Sequence, residues 1–339
     1  MSFQQRLIAF VHLGKILAEA SKAGQARTVG EAYLYNNWFT EESQRNCFAV
    51  WADLLTESKL TKWLNKYPIE EKIAPKNIAI IMAGNIPMVG FHDLLCVLLS
   101  GNNATVKMSS DDKILIKWIA DELIKFDTTF NEKIHFVEDQ IKSNFDAVIA
   151  TGSNNSNRYF EAYFGKYPNI LRKNRNSIAI VDGNETEDEM KLLADDIFSN
   201  FGLGCRNVSK VFLPNGFAFE KLYENTHKYS EFIHHNKYAN NYTYHKAIWL
   251  MNTDKFLDNG FLLMKEENEQ FSSPLASIYY QYYNNMDEVK SIINQRKNEI
   301  QCVVSTENFK NNIPFGSTQT PALNDYADNV DTMKFLTEL

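Results

Sequence analysis

Between Asn77 and Met108 the chain runs apolar strand, turn, helix, second strand. Ile78 to Met82 is continuously apolar, Ala83-Gly84-Asn85-Ile86-Pro87 is a turn, Met88 to Leu99 reads as a helix, and Ala104 to Met108 as a second strand. Two strands joined through a helix pair in parallel, with a right-handed crossover. Strands apolar on both faces need helices on both sides. The alternation continues with a helix from Asp111 to Phe126, strands at Ile134 to Val137 and Ala147 to Ala150, and a helix starting near Ser153. One twisted α/β sheet follows, with ligands expected at the carboxyl ends of its strands. Two turns lie there, Ala83 to Pro87 and Thr151-Gly152-Ser153, and each opens a helix whose free N–H groups suit an anion. Neither is a GxGxxG fingerprint. Gly202-Leu203-Gly204 lacks the third glycine and follows a helix, so it is not one either.

A helical preface precedes this sheet. Leu7, Phe10, Val11, Gly14 and Leu17 recur at helical spacing, and Thr40 caps a helix whose apolar positions are Phe48, Trp51, Leu54 and Leu55. A second lobe starts near Lys173. It has strands at Ile178 to Val181, Val211 to Leu213, Ile248 to Met251, Ile278 to Tyr282 and Ile300 to Val304, helices from Asp188 to Asn200 and Glu220 to Lys237, and a loop at Asn240 to His245. At 339 residues two lobes are expected. The predicted division is 1–172 for the preface and the first lobe, 173–325 for the second lobe, and 326–339 for a tail.

A net charge of −7 and the lack of a long basic run argue against a nucleic-acid partner. The apolar run Leu94 to Leu99 is too short to span a membrane, and His12 and Lys15 interrupt what would be a signal peptide's apolar centre, so a cytoplasmic protein is expected. Cysteines 47, 96, 205 and 302 lie far apart, in no metal-binding or disulfide pattern, and no metal is assigned. Only Cys205 is framed by glycines, Gly202 and Gly204, whose backbones bend tightly and admit a ligand. A thiol on such a turn is exposed enough to act as a nucleophile, with Arg206 and Lys210 as candidate charges favouring the thiolate. The alternative is a structural cysteine buried beside a glycine turn.

Taken in order, these motifs resemble the aldehyde dehydrogenase superfamily, and within it the LuxC-like acyl-CoA reductases. The resemblance implies a fold of two Rossmann-like parallel-sheet lobes, one for cofactor and one for catalysis. It makes Cys205 the nucleophile and Asn85 an oxyanion donor. Val106-Lys107-Met108-Ser109 resembles the segment that contacts the adenosine ribose, and Gly152-Ser153 the turn near the nicotinamide and phosphates. Glu269 or Gln270, before Pro274, stands near the position of the nicotinamide-ribose glutamate. Phe315, in Pro314-Phe315-Gly316, resembles the turn lining the substrate tunnel, with Gly204 beside the thiol.

Departures from the pattern carry information too. Hydrolytic members have a glutamate where Arg172 falls here, which implies an acyl-enzyme that a thiol or hydride discharges, not water. Ser110 stands where NAD-preferring relatives often carry a glutamate, which favours NADPH over NADH. The implied activity is reduction of an acyl-CoA, or another acyl-thioester donor, to a fatty aldehyde through a Cys205 thioester. A homo-oligomer and an acyl-transferring partner protein are compatible with this. An acyl-phosphate reductase of the semialdehyde-forming type and a non-catalytic acyl-binding protein are the alternatives.

Overall fold

The structure is a computed structural model and describes residues 1–23, 26–69, 74–138, 141, 144–306, 309 and 312–339. It forms two compact units, Met1–Asn174 with Ala322–Leu339, and Arg175–Pro321.

In the first unit the described strands are β1 (Asn77–Ile81), β2 (Asn103–Lys107), β3 (Ile134–Phe136), β4 (Ala147–Thr151) and β5 (Asn169–Arg172). They pair in parallel in the order β3-β2-β1-β4-β5, with Ile80 opposite Val106 on one side and Ile149 on the other. The middle of the central strand is apolar because it meets no solvent: Ile78, Ala79 and Ile80 are all buried, between the exposed Asn77 and the half-buried Ile81. The helix Phe91–Leu99 buries every residue but His92. In the preface, Thr40 caps the helix Glu41–Leu54 by accepting the Ser43 N–H at 3.2 Å. The chain's last residues join this unit, where Trp63 Nε1 donates to the Tyr326 hydroxyl at 2.9 Å and Tyr67 donates to Asp331 at 3.0 Å.

The second unit holds β6 (Asn176–Ile180), β7 (Val208–Pro214), β8 (Leu257–Asp258), β9 (Leu263–Glu266), β10 (Ser277–Tyr283), β11 (Ile300–Val304) and β12 (Asn312–Ile313). Their order is β12-β11-β6-β7-β10-β9-β8, parallel except for the β8–β9 pair. Ile178, Ile180 and Phe212 pack with Val289 and Ile293 of the helix Met286–Gln295. Ala179, Val181 and Val211 pack with Met190, Leu193 and Ile197 of the helix Glu187–Phe198.

One stretch corrects the sequence reading. Ile248 to Met251 is not a strand, and Asn240 to His245 is not a loop, because both lie in a single helix, Asn236–Met251. Its buried residues Tyr238, Tyr242 and Trp249 share one helical face, which the polar composition between them conceals. Among the described residues no helix is long and apolar enough to cross a membrane.

Candidate active site

In the second unit the cysteine turn is built by the end of the helix Glu187–Phe198. Asn200 (φ 50°), Phe201 (φ 59°) and Gly202 (φ 78°) are successively left-handed and reverse the chain. Gly204 is not left-handed, so the expected bend falls at Gly202 and the two residues before it. Asn207 then closes the turn. Its Nδ2 donates to the carbonyls of Asp196 at 3.1 Å and Ser199 at 2.9 Å, while its Oδ1 accepts the Gly204 N–H at 2.9 Å. The Cys205 carbonyl accepts Ser177 Oγ at 3.0 Å. Cys205 is half-buried, unlike the buried Cys96 and Cys302.

Asp196 ties a second segment to the same helix. Only 1 % exposed, its carboxylate accepts the N–H of Gly316 at 2.7 Å and of Thr318 at 3.0 Å. Burial pushes its carboxyl up, and those backbone donors oppose the shift. Arg206 Nε donates to the Thr318 carbonyl at 2.6 Å. The Phe315-Gly316 turn is therefore held to the helix that feeds Cys205. Gly316 is required there, since its φ is +78° and a Cβ would lie 2.6 Å from Leu192 Cδ2.

Glu269 is exposed on the turn between β9 and β10. The Glu267 carboxylate accepts the N–H groups of Glu269 at 2.9 Å and Gln270 at 3.3 Å, and Arg296 donates to the Glu269 carbonyl. Ser209 Oγ joins this turn to the sheet, donating to the carbonyl of Phe271 at 2.7 Å. Lys210 is fully buried with its ammonium over the rings of Phe212 and Phe271, and burial lowers it to about 8.

The first unit positions Asn85, Lys107, Ser109, Gly152 and Ser153. Asn85 is exposed at the carboxyl end of β1. Its turn interlocks with the segment after β2, because a Cβ on Gly84 would lie 2.6 Å from Ser109 Cβ and 3.0 Å from the Asp112 nitrogen. Asp112 secures the other end by accepting the Met88 N–H at 2.7 Å. Lys107 ends β2, and Lys107 and Ser109 are half-buried. Gly152 follows β4, and Ser153 caps the helix Asn154–Phe164 by accepting the Ser156 N–H at 3.2 Å. In the order β3-β2-β1-β4-β5, these three strand ends surround the point between β1 and β4 where the strand order reverses, the usual ligand crevice of such sheets. Arg172 ends β5 opposite Thr151 of β4; its side chain is buried, 4 % exposed, ion-paired with Asp93 and donating to Thr332 Oγ1 at 2.9 Å. Among the described residues no group of three His, Cys, Asp or Glu could hold a metal ion.

Sequence reasoning missed Asp196, Asn207 and Asp112. For Asp196 a signal existed: it is acidic on the helix face that buries Met190, Leu193 and Ile197.

A family model, described as acyl-CoA reductase (LuxC), matches residues 28–222. The chain belongs to the LuxC acyl-CoA reductase family. The matched span includes Asn85, Lys107, Ser109, Gly152, Ser153, Gly204 and Cys205, and ends before Glu269 and Phe315. Members of the family are oxidoreductases acting on aldehydes or acyl-CoA thioesters. No curated protein matches the chain significantly.

Solved structures share the aldehyde dehydrogenase fold. Aldehyde dehydrogenase 21 from Physcomitrella patens, in complex with succinate, has a TM-score of 0.71 at 11 % identity over 100 % of this chain and 84 % of its own. The NAD-dependent benzaldehyde dehydrogenase from Corynebacterium glutamicum has a TM-score of 0.68 at 10 % identity, over 91 % and 77 %. The Mycobacterium tuberculosis aldehyde dehydrogenase complexed with NAD+ has a TM-score of 0.65 at 12 % identity, over 91 % and 74 %.

Proposed function

We propose that this member of the LuxC family reduces an acyl-CoA, or another acyl thioester, to a fatty aldehyde through a thioester on Cys205, using NADPH. The observation that carries the reading is the half-buried thiol on a turn closed by Asn207, inside the span that matches the family. The Cys205 thiolate attacks the thioester carbonyl and the CoA thiolate leaves, taking up a proton. A bound nicotinamide supplies the hydride. The Asn85 amide and the Cys205 N–H are assigned to the oxyanion, where each such donor contributes about 3 kcal/mol. Return of the thiolate to Cys205 then releases the aldehyde.

The first unit's residues fit a phosphorylated dinucleotide. Lys107 ends β2 and Ser109 follows it, and the next residue, Ser110, would stand where a carboxylate otherwise selects an unphosphorylated ribose. The nearest carboxylates are Asp111 and Asp112, and Asp112 is committed to the Met88 N–H. Gly152 and Ser153 would offer backbone N–H groups to the phosphates, Glu269 would hold the nicotinamide ribose, and Phe315 and Gly204 would line the acyl chain's path. An acyl-phosphate reductase for an acidic substrate would need free basic groups near the thiol. Here Arg206 Nε is engaged by Thr318 and the Lys210 ammonium is buried.

The test is mass spectrometry of the protein after incubation with acyl-CoA and no nucleotide. One acyl group on Cys205, lost in Cys205→Ala together with NADPH oxidation, is the expected result. Turnover by Cys205→Ala would end the nucleophile assignment.

A further inference from the structure

Lys210, on β7 of the second unit, is a buried cation. Its side chain is fully buried, and its ammonium has no hydrogen-bond partner among the described residues. A buried charge left without hydrogen bonds costs stability, and a well-packed apolar side chain of similar volume would remove that cost. Such a residue points to a function when its surroundings connect it to a site.

Those surroundings converge on Phe271. The Lys210 ammonium lies 4.9 Å from the centre of the Phe271 ring, and the Arg296 guanidinium carbon lies 4.2 Å from the same centre. The residue before Lys210, Ser209, holds the Phe271 carbonyl at 2.7 Å. At the other end of the turn, Glu267 caps the N–H groups of Glu269 and Gln270, and its charge acts on Lys210. Both ends of the segment carrying Glu269 are thus connected to the Lys210 ammonium.

We propose that Lys210 is a positioning residue for nucleotide binding: its cation, resting on Phe271, fixes the Glu267–Phe271 turn that presents Glu269 to the nicotinamide ribose. The inference rests on the reading of Glu269 as a ribose ligand. A cation over an aromatic face is an attractive contact, stronger when desolvated, and it is lost with the charge.

The protonation of Lys210 adds a second handle. Desolvation lowers it to about 8, with Glu267 opposing and Arg296 reinforcing that shift. The groups around it are Glu267 on the turn, Arg296 at the end of the helix Met286–Gln295 with its partner Glu299, and the Tyr279 phenol, opposite Lys210 on β10. Below about pH 8 the cation is present, and above it the contact with Phe271 weakens. Nucleotide affinity therefore falls as pH rises from 7 to 9.5.

The experiment titrates the full-length protein with NADPH, read by its fluorescence, beside adenosine 2′,5′-bisphosphate, which lacks the nicotinamide riboside. Lys210→Met is expected to bind NADPH about tenfold more weakly at pH 7. It should bind the bisphosphate as tightly as the wild type and melt at a higher temperature. Lys210→Arg keeps a cation at every pH and is expected to hold NADPH equally at pH 7 and 9.5, while the wild type loses affinity. Equal NADPH binding by Lys210→Met and wild type overturns the positioning role, as does equal weakening towards both ligands. If Lys210→Met does not fold, the wild type and Lys210→Arg decide alone, and a wild-type affinity flat across this pH range overturns the proposal. A wild type that binds neither NADPH nor NADH defeats the nucleotide reading itself, a separate outcome.

Discussion

The carboxylate of Asp196 accepts the backbone N–H of Gly316 from 2.7 Å, joining two segments 120 residues apart in sequence. Through it the helix Glu187–Phe198 holds the Phe315-Gly316 turn, and through the Asp196 carbonyl the same helix holds Asn207. Asp196→Ala leaves the N–H groups of Gly316 and Thr318 without their acceptor. Hydrogen bonds to a charged group of this kind contribute about 1.5–3 kcal/mol. A loss of about 3 kcal/mol in denaturant unfolding is expected, with slower acylation of Cys205 under conditions where the variant stays folded. Wild-type stability in Asp196→Ala would mean that the two N–H groups find other acceptors.

Asp112 gives a pH-dependent prediction. Burial pushes its carboxyl from 3.8 up to about 7, against the backbone donors Met88, Leu115 and Ile116. The folded-state value exceeds the unfolded one, so between them the folded protein binds more protons. The cost of the buried charge therefore grows as pH rises from 3.8 to about 7 and is full above it. Asp112→Asn keeps an acceptor for the Met88 N–H and removes the charge. Its melting temperature relative to wild type is expected to be about 2–4 °C more favourable at pH 8 than at pH 5. The reverse trend would show that the three N–H groups need the carboxylate anion.

These two residues mark where the sequence was not legible. Mostly apolar runs gave away β1, β4, β6, β7, β10 and β11, because strands buried on both faces leave little polar signature; β2 instead alternates, with Ala104 and Val106 buried and Thr105 and Lys107 half-buried. β5, β8, β9 and β12 went unread, and β8 and β12 are only two residues each. Gly202, Cys205 and Asn85 stood out by local spacing. Asp196, Asn207 and Asp112 did not, because their partners are backbone groups that only the folded chain brings within reach. The helix Asn236–Met251 was hidden by composition: asparagines and tyrosines suggest a loop until Tyr238, Tyr242 and Trp249 are seen on one buried face.

Selective alkylation tests the thiols. Desolvation pushes Cys47 and Cys96 well above the usual thiol range, with Asp112 and Asp93 respectively adding to it, and Cys302 is buried in β11. Only the thiolate reacts readily. Substoichiometric iodoacetamide at pH 7.5 is expected to modify Cys205 alone in the folded protein, and acyl-CoA added first should block it. Faster labelling of Cys47 or Cys302, found by peptide mapping, would contradict the assignment of the reactive thiol.

The ion pair of Arg172 with Asp93 separates a structural role from a chemical one. Both side chains are nearly inaccessible, and Thr332 Oγ1 accepts a further hydrogen bond from Arg172, so the pair links β5, the helix Phe91–Leu99 and the C-terminal helix Thr332–Thr337. Removing one partner of a buried pair strands the other charge and costs about 3–5 kcal/mol, whereas replacing both with apolar groups is often neutral. Arg172→Met is expected to lose about that much stability in urea unfolding, and Asp93→Leu/Arg172→Met to recover most of it. The chemical prediction is independent. On the proposed reading, in which Arg172 takes the place of the hydrolytic glutamate and Cys205 carries the acyl group, that group is expected to outlast many turnovers in water and to leave quickly when CoA or NADPH is added. Following free fatty acid and acylated mass after mixing with acyl-CoA alone measures this. Rapid release of fatty acid that depends on Cys205 would mean that another group activates water. Glu185, a carboxyl raised by burial, and the exposed Glu187 and Glu269 are the first to replace.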